Sequence, residues 1–314
     1  MKKNTIILPL SLLLFALTAL SGGYWDVWWH VMKLVETFYT LPHLVIYASI
    51  FLSGITVLGV VFIRLRKIGS FSPAKIKEAK SLALIGAGSV IQLIAGISDD
   101  IYHNLVGFDI TIWSPPHLLV IFGGVLLLLG VFQLSHERNF TTGMILSLGF
   151  ALAFFQFSIM EYDIHDVWSL ENRWEPYKDY LPFLFMSCAA LIISFGTVKM
   201  KKPMGTLVTG IAFIYKLAVY IAWSFTSIEL YFPVLIIVCG VVFDLVYLLT
   251  KNTKYRIHIA AIIAGAALSL VVALQSPINE SWSNIVISIA GAIVSALIFT
   301  WLGKRLASEG GYHA

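Results

Sequence analysis

Residues 114–134 read Ser-Pro-Pro-His-Leu-Leu-Val-Ile-Phe-Gly-Gly-Val-Leu-Leu-Leu-Leu-Gly-Val-Phe-Gln-Leu. From Leu118 to Leu134 the only polar side chain is Gln133. A helix needs roughly 20 apolar residues to cross about 30 Å of hydrocarbon. In lipid a lone segment satisfies its backbone groups only as a helix. Comparable apolar runs lie at about 6–22, 44–63, 81–98, 141–160, 181–198, 204–225, 231–250, 257–274 and 283–302. The 314 residues are 59% hydrophobic and 12% charged, more apolar surface than a soluble core can hide. The expected fold is therefore an all-α, polytopic membrane bundle of about ten transmembrane helices. So little charge excludes a nucleic-acid-binding domain and a disordered chain. Cys188 and Cys239 both lie inside apolar runs, where inert packing is expected rather than a disulfide framework or a thiolate cage.

Between the runs the charges sort by side. Arg64, Arg66, Lys80, Arg138, Lys199, Lys251 and Lys304 fall on one side, together with Lys2 and Lys3. By the positive-inside rule this is the cytoplasmic side, with both termini. Asp26, Glu36, Asp99, Asp100, Asp109 and the acidic stretch from Glu161 fall on the other, as do His30, His43, His103, His117 and His165. Residues 1–22 could also be read as a secretory signal, since Lys2 and Lys3 precede an apolar run and Ser21-Gly22-Gly23 follows it. A retained first helix is the expectation, because the run is long for a signal core.

The acidic side carries a repeated pattern. Asp26-Val27-Trp28-Trp29-His30 is followed by Thr40-Leu41-Pro42-His43, and Asp99-Asp100-Ile101-Tyr102-His103 by Ser114-Pro115-Pro116-His117. In each copy the carboxylate and first histidine stand four residues apart, on one helical face. The second histidine sits just inside a new helix, with Thr40 or Ser114 suited to the N-cap and Pro42 or Pro115 to the first turn. Two imidazoles and a carboxylate can then converge twice, which argues for a duplicated helix-turn-helix unit. Such a set suits copper, iron with open positions, or zinc with a water. The plainer reading makes the histidines interfacial residues bonded to loop carbonyls.

At these residues the chain resembles the C subunit of the copper membrane monooxygenases, the particulate methane and ammonia monooxygenase family. That pattern is an Asp, then Trp-His completing a four-residue step, then Phe-Thr-x-x-His; Asp26, Trp29, His30, Thr40 and His43 occupy it, with Tyr39 in place of Phe. The family's second pattern is Asn, His four residues on and His fourteen after that; Asp99, His103 and His117 fall there, so Asp99 departs from it. The resemblance covers about residues 22–135. It implies a metal-binding membrane domain at 1–135 with copper at two extracytoplasmic sites, Asp26/His30/His43 and Asp99/His103/His117, the latter also the candidate catalytic set. It further implies O2-dependent hydroxylation of a small apolar substrate, and partners in the form of other monooxygenase subunits or further copies of this chain, within membrane lipid. Residues 136–314 supply additional helices with no such match.

The competing readings are an extracytoplasmic copper or zinc capture, delivery or sensing protein without turnover, and a zinc hydrolase using Asp100 or Asp109 as general base. Glu161 and His165 stand four apart in the longest outer loop and suggest a third copy, but Phe183 occupies the position of its second histidine. Lys216 and Asp244 fall inside apolar runs; a structural ion pair between them is the expectation, because charges at membrane depth usually pair.

Overall fold

The computed structural model describes residues 6–32, 34, 37, 39–68, 80–106, 114–158, 181–226, 233–275 and 282–309. These residues form helices and no strand: α1 (Ile7–Val31), α2 (Leu41–Ile68), α3 (Lys80–Val106), α4 (Pro115–Glu137), α5 (Thr141–Phe157), α6 (Leu181–Met200), α7 (Gly205–Trp223), α8 (Val234–Leu249), α9 (Arg256–Gln275) and α10 (Trp282–Glu309). Six of them, α1 to α4, α7 and α10, are long and apolar enough to cross a membrane. The chain is thus a multi-pass membrane protein. The sequence suggested about ten spans; over the described residues the other four helices give shorter apolar stretches, of 10–17 residues.

The apolar runs understate the helices. α1 continues past residue 22 to Val31 and carries Asp26 and His30 on its last turns. The chain divides into two compact units, Met1–Ser158 and Ile159–Ala314. The first contains all of residues 1–135 together with α5.

In the first unit neighbouring helices run antiparallel with their backbones close. A Cβ on Gly22 of α1 would come within 2.8 Å of Ile46 on α2. Tyr47 of α2 lies against Gly96 of α3, and Gly54 and Gly86 continue the same crossing beside Ser89 and Val57. At the α3–α4 crossing a Cβ on Gly88 would meet the Gly123 carbonyl at 2.6 Å, and one on Gly123 the Gly88 carbonyl at 2.8 Å. Only glycine permits this approach, the usual device for packing helices in lipid. α5 returns antiparallel to α4, with Phe154 over Gly124, and its last residue packs on α1, Phe157 edge-on to Tyr24 with ring centroids 5.1 Å apart. The result places the C-terminal ends of α1 and α3 and the N-terminal ends of α2 and α4 at one end of the unit. At the opposite end Ser81 donates to Glu137, and the chain turns from α4 to α5 through Asn139, which takes a left-handed φ of 55°, a conformation asparagine tolerates.

In the second unit α6 runs beside α10, joined by a buried Ser187–Ser295 hydrogen bond and by Gly303 against the Leu191 carbonyl. α7 and α8 cross at Gly205 and Gly240. Asp244 does not serve as an ion-pair partner for Lys216: its Oδ1 accepts from the Gly205 N–H and its Oδ2 from the Thr206 N–H, both at 2.7 Å. It caps α7 from the neighbouring helix, satisfying donors that a helix start leaves open. Lys216 lies on the buried face of α7, about 16 Å further along at 1.5 Å per residue.

Candidate metal centre

Both sequence triplets converge. Each set of Asp26, His30, His43 and of Asp99, His103, His117 brings one donor atom per residue within 4.8 Å of the others. They are built alike. Asp26 and His30 project from consecutive turns near the end of α1, and His43 enters from the first turn of α2. Asp99 and His103 occupy the corresponding turns of α3, and His117 the first turn of α4. Ser114 is the α4 N-cap and accepts from the His117 backbone N–H, as its type predicts. Thr40 stands just before α2 and turns its hydroxyl to the His43 ring, 3.1 Å from Nδ1.

Each carboxylate presents one oxygen to each imidazole. Asp26 Oδ2 lies 3.5 Å from His30 Nε2, and Oδ1 3.3 Å from His43 Nε2. Asp99 Oδ2 lies 3.6 Å from His103 Nε2, and Oδ1 3.4 Å from His117 Nε2. All four separations exceed the roughly 2.7–2.9 Å of a charge-assisted N–H···O bond. They fit another geometry, since two donors each about 2.1 Å from one ion at a tetrahedral angle stand about 3.4 Å apart.

Proton placement sharpens the fit. His43 Nδ1 is 3.0 Å from the Thr37 carbonyl oxygen. A carbonyl only accepts, so Nδ1 carries a proton, and in the neutral form of the ring the lone pair is on Nε2. That lone pair faces Asp26 Oδ1, an acceptor that no hydrogen bond reaches. Two acceptors facing one another in a buried place are unfavourable unless a cation, a further proton or a metal ion, stands between them. Anchoring of the far ring nitrogen on a backbone carbonyl is also the usual support of a metal-bound histidine. Asp99 Oδ1 is likewise buried and reached by no hydrogen bond. The donor set and its spacing fit a divalent ion in both places.

The carboxylates and His43 are buried, Asp26 at 7%, Asp99 at 6% and His43 at 6% exposure. The side chains of His30 and His117 keep 26% and 21%, so each centre has a covered floor and an open edge. Tyr47, which the sequence reading passed over, stacks on the His43 ring with centroids 5.7 Å apart and planes 17° from parallel. Its signal was present as the four-residue step from His43. The rings of His103 and His117 meet edge to face at 6.2 Å. Asp100 is exposed on α3, while Asp109, Trp113, Glu161 and His165 lie outside the described residues. Set against known protein families, curated proteins and solved structures, the chain matches none of them.

Proposed function

We propose that the chain is a copper-binding, multi-pass membrane protein, a relative or subunit of a copper-dependent membrane monooxygenase that hydroxylates a small apolar substrate of the methane, ammonia or short-hydrocarbon class with O2. The observation that supports a metal is the convergence of one donor atom from each of Asp26, His30 and His43, and again from each of Asp99, His103 and His117, within 4.8 Å. Copper and the reaction rest on the resemblance at Asp26, Trp29, His30, Thr40 and His43 and at Asp99, His103 and His117.

Copper bound there supplies the redox and O2 chemistry that carboxylates and imidazoles lack. The residues bind and orient it. Asp26, His30 and His43 hold one ion; Asp99, His103 and His117 hold the other and form the catalytic set. Asp99, an anion where the family has an amide, favours tighter cation binding at that second centre. The Thr37 carbonyl and Thr40 hydroxyl fix the tautomer and plane of His43. The helices around the ligands keep bulk water from the floor of each centre, and the exposed edges of His30 and His117 are where a substrate arrives. Lys80 and Arg138 lie at the opposite end of the unit from the centres, which supports an extracytoplasmic location for the metal. The apolar residues that α2 exposes, Phe51, Leu52, Ile55 and Leu58, face lipid, other subunits or a second copy of the chain.

Those same exposed edges favour a second reading, in which the chain captures and passes on copper or zinc without turnover. Element analysis of detergent-purified protein, with paramagnetic resonance of the same sample and of His30→Ala and His103→Ala, separates these. About two coppers per chain, each variant losing its own nitrogen-coupled Cu(II) signal, and substrate oxidation under O2 support the oxygenase. Rapidly exchanging metal with no oxidation supports the carrier. Iron or zinc in these positions overturns copper, and an absence of bound metal overturns both readings.

A further inference from the structure

Tyr47 touches both halves of the metal-binding end. Its ring stacks on His43, a ligand of the first centre, in the offset parallel arrangement that aromatic rings favour. The other side of the contact is α3. A Cβ built on Gly96 would stand 3.0 Å from Tyr47 Cε1 and 3.5 Å from Cδ1. The phenol ring thus lies directly on the α3 backbone, and glycine at 96 is what admits it. Gly96 is three residues before Asp99, so the contact sits one turn below the carboxylate of the second centre, on the same helical face.

We infer that Tyr47 is a positioning residue shared by the two centres, one that sets the plane of the His43 imidazole from α3 and so makes the coordination of the first ion depend on the occupancy of the second. This rests on the metal-binding reading above. The imidazole is already held at Nδ1 by Thr37 and Thr40, which fixes one point of the ring. Rotation about that point is stopped by the flat face of Tyr47. A displacement of α3 at Gly96 would pass to the His43 ring through the phenol that lies between them.

The test uses the full-length protein in detergent, with Cu(II) alone as the probe. Tyr47→Leu, Tyr47→Phe and Gly96→Ala are compared with wild type, each with and without His117→Ala to disable the second centre. The readouts are copper per chain and the hyperfine pattern of the first-centre Cu(II) signal. In the wild type, disabling the second centre shifts the first-centre pattern. Tyr47→Leu keeps two metal sites, weakens the first roughly tenfold to a hundredfold, shifts its pattern and abolishes its response to His117→Ala. Gly96→Ala shifts the first-centre pattern although it alters no ligand, and Tyr47→Phe, which keeps the ring, matches wild type. An unchanged first-centre signal in Tyr47→Leu overturns the inference, and so does a Phe variant that behaves like Leu. A wild type that binds no copper overturns the metal-binding reading itself, and this inference with it.

Discussion

His43 and Asp26 lie on different helices and bring Nε2 and Oδ1 to within 3.3 Å of each other. With the His43 ring neutral, two acceptors face one another there, and on the metal-binding reading a bound ion relieves the contact. Replacing Asp26 by Asn supplies an N–H that can donate to His43 Nε2. Asp26→Asn should therefore bind the first metal at least roughly a hundredfold more weakly, yet be as stable as the wild type when empty or more so, by up to about 1 kcal/mol. Metal content and thermal unfolding of the metal-free proteins check this; a variant that retains full metal would sink the assignment of Asp26 as a ligand.

Acidification should release the metal. Imidazole binds only in its neutral form, so protons compete directly with the ion. Each centre contributes two histidines, and below the ordinary imidazole range its affinity should fall by up to about a hundredfold per pH unit. Dialysis of loaded protein over a series of pH values, followed by element analysis, gives the curve. Retention that is indifferent to pH would mean that the histidines are not ligands.

Gly123→Ala tests whether the second centre depends on helix approach. The added methyl would come 2.6 Å from Gln92 Cγ and 2.8 Å from the Gly88 carbonyl, so α3 and α4 must separate. A loss of about 1–3 kcal/mol in stability is expected, together with weaker binding at Asp99, His103 and His117 and intact binding at the first centre. Site-resolved copper titration distinguishes the two; equal loss at both centres would contradict it.

In the second unit, Asp244→Ala removes the cap from two N–H groups at the start of α7 and should cost about 1–2 kcal/mol. Metal content should not change. Because Asp244 is engaged with backbone and not with Lys216, the effects of Asp244→Ala and Lys216→Met on thermal stability should add, as they do for separated sites. A coupling of more than about 1 kcal/mol in the double variant would restore the ion pair that the sequence suggested.

Much of the candidate site is legible in the chain because its logic is local. The four-residue steps from Asp26 to His30 and from Asp99 to His103 are helix geometry, and Ser114-Pro115 announces a helix start one turn before its ligand. The partnership of Asp244 is not legible. It depends on which turn of α8 lies beside the start of α7, and helices apolar on all sides give no periodic signal of which face meets which neighbour. The same holds for Tyr47 and Gly96, whose contact is a matter of register between α2 and α3. The apolar runs alone understate the helices, since hydropathy falls at Tyr24 and Trp25 whereas the backbone stays helical to Val31, as the Asp26–His30 step requires. Each of the ten apolar runs carries a helix, but helix and membrane crossing are different properties, and α5 and α8 are too short for the pattern of apolar residues to distinguish them.

Each donor set is completed within a single pair of consecutive helices, α1 with α2 and α3 with α4. During biogenesis the first three ligands therefore come together as soon as the second helix has been delivered to the bilayer, before the remainder of the chain has been translated. Neither centre waits for the other's helices, or for the second unit, to become complete. On the metal-binding reading, acquisition can proceed stepwise alongside insertion, and a chain arrested after its first pair of helices should already hold one ion.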